Sequence, residues 1–118
     1  MAAVIELAPW TTLSGSGSVT LTQAPGEWVD VSEHADGMFL LDVKDITVSV
    51  RIYVDTSPSD DDGYFTPLFD YVATTGATLR ISRFADAATP LMRYVRWRLA
   101  SGTNWAVTFR ISAVLKTL

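Results

Sequence analysis

The chain of 118 residues has no cysteine and only one histidine, His34. Without cysteine it can form neither a disulfide nor a thiolate metal site, so packing must stabilise the fold. A lone histidine also excludes a two-histidine zinc site or a Cys–His nucleophile within one chain. The sequence contains no nucleophile elbow, phosphate loop or dinucleotide fingerprint. We therefore predict a protein that is not an enzyme and uses no cofactor.

Long apolar runs and a net positive charge are missing as well. Runs such as Met38–Leu41 are far shorter than the roughly 20 apolar residues that cross a bilayer. Residues 1–6 lack the basic start and apolar stretch of a secretory signal. The formal net charge is −4, whereas a general nucleic-acid binder needs a concentrated basic surface. We expect neither a membrane nor nucleic acid among the partners.

The charge is unevenly distributed along the chain. Residues 1–75 carry two basic and twelve acidic side chains (−10), and residues 76–118 carry seven basic and one acidic (+6). One interpretation is that early and late strands interleave in one fold and pair their charges across strands. The other is head-to-tail self-association, in which an acidic patch on one copy meets a basic patch on the next.

Strict alternation of apolar and polar residues is the strongest positive signal. Residues 46–54 and 105–115 alternate so regularly that each segment predicts one long, half-buried β-strand. The apolar positions expected to form two facing core walls are Ile46, Val48, Val50, Ile52 and Val54, and Trp105, Val107, Phe109, Ile111, Ala113 and Leu115.

Shorter segments with similar signals complete the predicted fold. Turn-rich stretches separate further candidate strands at residues 4–7, 19–22, 28–31, 38–43, 79–83 and 93–99, whereas residues 64–71 are ambiguous. About eight antiparallel strands without an amphipathic helix predict an all-β fold, a single β-sandwich or jelly roll. Residues 1–18 are expected to form an N-terminal arm or a short strand with a Gly/Ser loop, and residues 19–118 the sandwich domain.

Arginine and tyrosine residues define a candidate protein interface. On the predicted strand at 93–99, alternate residues point away from the apolar ones. An outer face rich in Arg and Tyr has the composition that is enriched at protein interfaces. The candidate residues are Arg51, Tyr53, Tyr94, Arg96, Arg98 and Arg110. This interpretation requires Arg51, Tyr53 and Arg110 to lie on neighbouring strands of the same sheet. The alternative is that the arginines pair with Asp or Glu across strands and keep one face hydrated.

Four aspartates crowd the segment after the first long strand: Asp55, Asp60, Asp61 and Asp62. Carboxylates and loop carbonyls are the ligands that Ca²⁺ takes, so a calcium loop is one interpretation. Their spacing does not match the EF-hand pattern, and we favour a solvated acidic loop without a metal.

Three aromatic residues could instead stack on a sugar: Trp10, Trp28 and Tyr64. Packing in the core or at an edge is the interpretation we favour for each tryptophan. Sugar stacking is kept as the alternative.

Three parts of the chain resemble known families: residues 55–68, the run Arg93–Leu99 and the alternating last strand. Together they look like the sandwich of galactose-binding-like (discoidin-type) jelly rolls, which implies that fold. The sugar-binding residues of that family cannot be placed on this chain. With Trp28–Val31 added, the run also resembles small all-β structural proteins of tailed-phage particles, such as head decoration or tail components, over residues 27–115.

The function expected from these observations is a non-enzymatic structural or assembly protein of a phage-like particle. It would be a virion decoration, capsid-stabilising or tail component that acts through protein–protein contacts. The expected partners are the chain itself, as a homo-oligomer, and a particle shell or tail protein. The expected location is the virion or the cytoplasm during assembly, and the alternative function is a carbohydrate-binding jelly-roll module.

Overall fold

A computed structural model describes residues 2–47, 50–73, 79–84, 91–102 and 104–117. Within these residues it has nine strands: β1 (Ala2–Gly15), β2 (Val19–Thr22), β3 (Val29–Asp30), β4 (His34–Thr47), β5 (Val50–Ser57), β6 (Thr66–Ala73), β7 (Leu79–Phe84), β8 (Tyr94–Ser101) and β9 (Trp105–Thr117). Two single-turn 3-10 helices lie between strands: Pro25–Glu27 follows β2, and Asp62–Tyr64 follows β5. Across the described ranges, no helix is long and apolar enough to span a bilayer.

The strands form two antiparallel sheets that pack face to face. Sheet A has the strand order β1-β9-β4-β7, and sheet B has the order β2-β8-β5-β6, with β3 also paired to β8. The prediction of an all-β sandwich is confirmed.

The core lies between the sheets and follows the predicted alternation of the last strand. All six positions of β9 that were predicted to face the core are 0–3% exposed. Sheet B contributes buried residues from β5 and β8, among them Ile52, Val54 and Leu99. The ring of Trp97 on β8 meets the ring of Phe109 on β9 edge-on, with 5.5 Å between centroids, which joins the two sheets.

The prediction of one continuous strand over residues 46–54 is wrong. Residues 46 and 47 end β4 in sheet A, and Val50 begins β5 in sheet B. Residues 48 and 49 lie outside the described residues. Ile46 packs against the core and Val50 is buried in it, because both sheets face the same interior. A chain that passes from one sheet to the other can therefore keep an unbroken apolar–polar alternation.

The first strand is longer than expected. β1 covers Ala2–Gly15 rather than residues 4–7, and it runs along β9 at the edge of sheet A. The register shifts between Glu6 and Ala8 and again between Ala8 and Thr11, and these irregularities accommodate Pro9 in an edge strand. Gly15 lies opposite Trp105, and a Cβ atom there would come within 3.0 Å of the indole.

Other boundaries differ by a few residues. β5 continues to Ser57, into the segment predicted as a loop, and β3 is limited to Val29–Asp30. The ambiguous segment at 64–71 contains the end of the second 3-10 helix and most of β6.

Candidate interaction surfaces

The outer face of sheet B carries five of the six predicted interface residues. Tyr94, Arg96 and Arg98 are on β8, and Arg51 and Tyr53 are on the neighbouring strand β5. Arg110 is on β9 in sheet A, so the condition that it share a sheet with Arg51 and Tyr53 is not met. Both segments alternate in the same way, and nothing in that pattern distinguishes the two sheets.

Arg96 is enclosed by the chain itself and is only 6% exposed. Its Nε donates to Asp55 Oδ2 at 3.5 Å, and its Nη1 pairs with Asp62 from the following loop. Its guanidinium lies 4.0 Å from the ring centroid of Phe65 and 5.4 Å from that of Trp28. A buried arginine thus holds the Asp62–Phe65 segment and Trp28 against the sheet by charge pairing and cation–π contact.

Arg98 shares the same carboxylate. Its Nε and Nη2 donate to the two oxygens of Asp55 at 2.9 and 3.3 Å. The guanidinium stacks 3.7 Å from the ring centroid of Tyr53. The hydrogen bond to Asp55 is the main cause that raises the pKa of Arg98 above its ordinary value. Asp55, 1% exposed, therefore accepts from two arginines and is not available to a ligand.

Two of the other aspartates in the candidate calcium loop also have partners within the chain. The Asp61 side chain accepts the Gly63 N–H at 2.9 Å, and Asp62 pairs with Arg96. Asp60 is exposed. In the part of the chain that the structure describes, no cluster of His, Cys, Asp or Glu is arranged to hold a metal ion.

The opposite charges of the two halves of the chain meet as ion pairs, some of them between neighbouring strands. Asp30, Asp42, Asp55 and Asp62 from the early part pair with late arginines. Arg51 with Asp70 is an ion pair within the early part. The interleaving interpretation of the charge distribution accounts for these pairs.

The outer face of sheet A is different because part of it is apolar. Val114 on β9 is paired with Val4 on β1 and with Met38 on β4, so the three residues lie in one row across the sheet. Leu40 is the next residue of β4 on the same face. Val4 is 78% exposed, while the other three are half-buried. We call these four residues the Val4 strip.

A polar cluster lies further along the same face. Arg110 Nη2 donates to Asp42 Oδ2 at 2.8 Å across β9 and β4. Trp10 on β1 lies over the Arg110 guanidinium, 4.8 Å from its ring centroid, and is still 46% exposed.

The Val4 strip was not among the predicted surfaces, although the sequence contains a signal for it. Val4-Ile5 and Met38-Phe39-Leu40-Leu41 are apolar at consecutive positions, so both faces of β1 and β4 are apolar there. Strands that are covered on both faces have such unbroken runs.

The three candidate sugar-stacking residues do not form one platform. Trp10 belongs to sheet A, whereas Trp28 and Tyr64 belong to segments on the sheet B side. Trp28 is half-buried, meets Phe65 edge-on at 4.6 Å and donates its indole N–H to Gln23 O at 2.9 Å. Trp10 and Tyr64 are the exposed members of the three.

Solved structures share the fold at low sequence identity. A chain from the endospore appendages of Bacillus, described as disulfide-linked pili, superposes with a TM-score of 0.56 and 11% identity over 100% of this chain and 92% of its own. A chain from infectious bursal disease virus, Gx strain, gives 0.54 and 12% over 99% of this chain and 32% of its own. Eiger TNF from S. frugiperda gives 0.52 and 12% over 100% of this chain and 92% of its own. These likenesses show a jelly-roll-like sandwich.

No protein-family model matches the sequence, and no curated protein matches it.

Proposed function

We propose that this chain is a non-enzymatic structural protein of a phage-like particle. It acts as a virion decoration, capsid-stabilising or tail component, and its work is done by protein–protein contacts at the outer faces of the sandwich. The chain binds copies of itself and a shell or tail protein.

The Val4 strip is the observation that carries the proposal. A nonpolar side chain that is 78% exposed, beside three half-buried ones, leaves apolar surface in water that association would bury. Each square ångström so buried contributes about 25 cal/mol. The apolar runs on β1 and β4 have the composition of strands covered on both faces, and a neighbouring protein would supply that second cover.

The fold supports an assembly role without identifying the particle. The same sandwich occurs in an endospore appendage and in a virus structure. This chain has no cysteine, so its contacts with other copies cannot be the disulfide links named for the appendage.

The exposed parts of the predicted Arg/Tyr interface extend the contact area. Arg51 pairs with Asp70 at a half-exposed position on sheet B, beside Tyr53 and Arg98. Arg96 is too deeply buried to contact a partner without rearrangement of its cover. Arg110 and Trp10 place a second Arg–aromatic pair beside the Val4 strip on sheet A.

Light scattering across the micromolar range tests the proposal, together with binding to purified phage heads and tails. We expect concentration-dependent association that Val4→Lys abolishes. Val72→Lys is the matched control, since Val72 is 38% exposed on sheet B, and it should leave association intact. A wild-type chain that stays monomeric and binds neither heads nor tails would overturn the proposal. Specific glycan binding by such a monomer would establish the carbohydrate-binding alternative.

A further inference from the structure

A cleft opens at the side of the sandwich, where the irregular part of β1 faces the segment after β2. The cavity has a volume of about 350 Å³, and its lining includes Glu6, Thr11, Gln23, Glu27 and Trp97. That volume is at the lower end of small-ligand sites. The pairing of β1 with β9 shifts register on both sides of Ala8. Irregular pairing bends this part of the edge strand, and the cleft lies beside it.

Gln23 makes the floor of the cleft rigid. Its backbone N–H donates to Trp97 O at 3.1 Å, and its Oε1 accepts the Trp97 N–H at 3.2 Å. Its Nε2 donates to Leu7 O on β1 at 2.9 Å. One buried amide therefore bonds to both sheets and fixes Trp97 relative to β1. A site on such a framework is organised before its ligand arrives.

The negative charge of the residues that line the cleft favours a positively charged ligand. Glu6 and Glu27 are exposed carboxylates, and neither takes part in any ion pair found in the described ranges. Among the described residues that line the cleft there is no Lys, Arg or His. Two uncompensated carboxylates attract a cation, and Trp97 adds an aromatic residue to the lining, which suits the alkyl stem of an organic cation.

We propose that this cleft binds an organic cation, an alkylammonium or guanidinium group, and that its occupant in the assembly is Lys44 of a second copy. Lys44 is exposed at the irregularity of β4, and no ion pair among the described residues includes it. Five arginines, by contrast, are paired with aspartates: Arg51, Arg93, Arg96, Arg98 and Arg110. The choice of occupant rests on the proposed assembly function, whereas the cation chemistry of the cleft does not.

Nuclear magnetic resonance titration tests the chemistry of the cleft. The probes are n-butylammonium chloride and N-methylguanidinium chloride, with sodium chloride at equal ionic strength as the reference. We expect saturable shifts of the Trp97 indole and Gln23 amide signals with both organic cations. The double variant Glu6→Gln, Glu27→Gln should bind them roughly tenfold more weakly, because two charge-assisted contacts are lost. Glu33→Gln, at an exposed glutamate outside the cleft, should bind like the wild type.

Three results would overturn the cation site. They are the absence of saturable shifts, equal binding by the double variant, and binding of a neutral methyl glucoside that survives in that variant. A thermal melt of the double variant checks that it is folded.

Light scattering tests the occupant separately. Lys44→Gln and the double variant should each weaken association of the chain by a similar factor. Unchanged association in either variant would overturn the role of Lys44, even if the cleft binds amines. If the wild-type chain is monomeric, the proposed function fails, and the titration still decides the cation site.

Discussion

On the outer face of sheet B, a nearly buried arginine is covered by the chain's own loop, whereas on the outer face of sheet A, Val4 is left 78% exposed. Arg96 and Arg98 converge on Asp55, and the rings of Phe65, Trp28 and Tyr53 lie over their guanidiniums. The Val4 strip has no such cover within the described part of the chain. The arginines at the centre of sheet B's outer face have their partners within the chain, whereas apolar groups on sheet A stay partly exposed.

Charge reversal should separate the two faces most clearly. The double variant Arg96→Glu, Arg98→Glu places new carboxylates beside buried Asp55 and removes both of its counter-charges. Breaking a buried pair costs about 3–5 kcal/mol, and a domain of this kind has a total stability of about 5–15 kcal/mol. We expect the variant not to fold, as measured by circular dichroism. Val4→Lys should fold normally and change only association.

A folded double variant with altered association would contradict this comparison. It would restore Arg96 and Arg98 to the contact surface predicted from the sequence.

Removal of the shared carboxylate should have the next largest effect. Asp55→Ala leaves Arg96 buried and without its partner on β5, so the free energy of unfolding should fall by about 3–5 kcal/mol in urea titrations. Asp70→Ala breaks the half-exposed pair with Arg51, and its cost should stay below about 1 kcal/mol. Similar costs at the two sites would show that Asp55 does not anchor the covered face.

The aromatic cover can be tested without changing charge. Phe65→Leu keeps an apolar side chain but removes the ring 4.0 Å from the Arg96 guanidinium, which should cost about 1–2 kcal/mol of unfolding free energy. The neighbouring Tyr64→Leu, at an exposed position, should change stability by less than about 0.5 kcal/mol. Equal effects would mean that the ring acts only as apolar volume.

The smallest effect is expected at the rim of sheet B, in the pH dependence of stability. The backbone N–H of Ser32 and then Arg93 lower the pKa of Asp30 below its ordinary value of 3.8. A carboxyl group with a lowered pKa stabilises the fold above its ordinary pKa, and this contribution is lost as pH falls through the folded-state pKa. Asp30→Asn should therefore show a slightly shallower acid loss of stability than the wild type. A pH profile identical to that of the wild type would contradict a contribution of Asp30 to stability.

The alternation of apolar and polar residues is sufficient to predict the class of fold and the whole inner face of β9. It cannot show which sheet a strand joins, because both sheets present the same period to one core. For this reason the alternation over residues 46–54 predicts one strand where the structure has two, and it places Arg110 with Arg51 and Tyr53 although they lie in different sheets.

The candidate surfaces show a second limit of the sequence. The arginines on β8 could be placed on an outer face, but their pairing depends on the strand order β8-β5 and on a loop that folds back over them. Consecutive apolar residues at 4–5 and 38–41 did carry information about the other face. The side cleft depends on shifts in register that no local pattern reveals.

The position of β9 in sheet A has a consequence for how the protein is made. β9 lies between β1 and β4, so among the described strands β1 has no neighbour in its sheet until residues 105–117 have left the ribosome. Pairing across about a hundred residues of sequence is slow. During that interval β1 and β4 both offer free hydrogen-bonding edges, and an interrupted chain would be prone to aggregate through them.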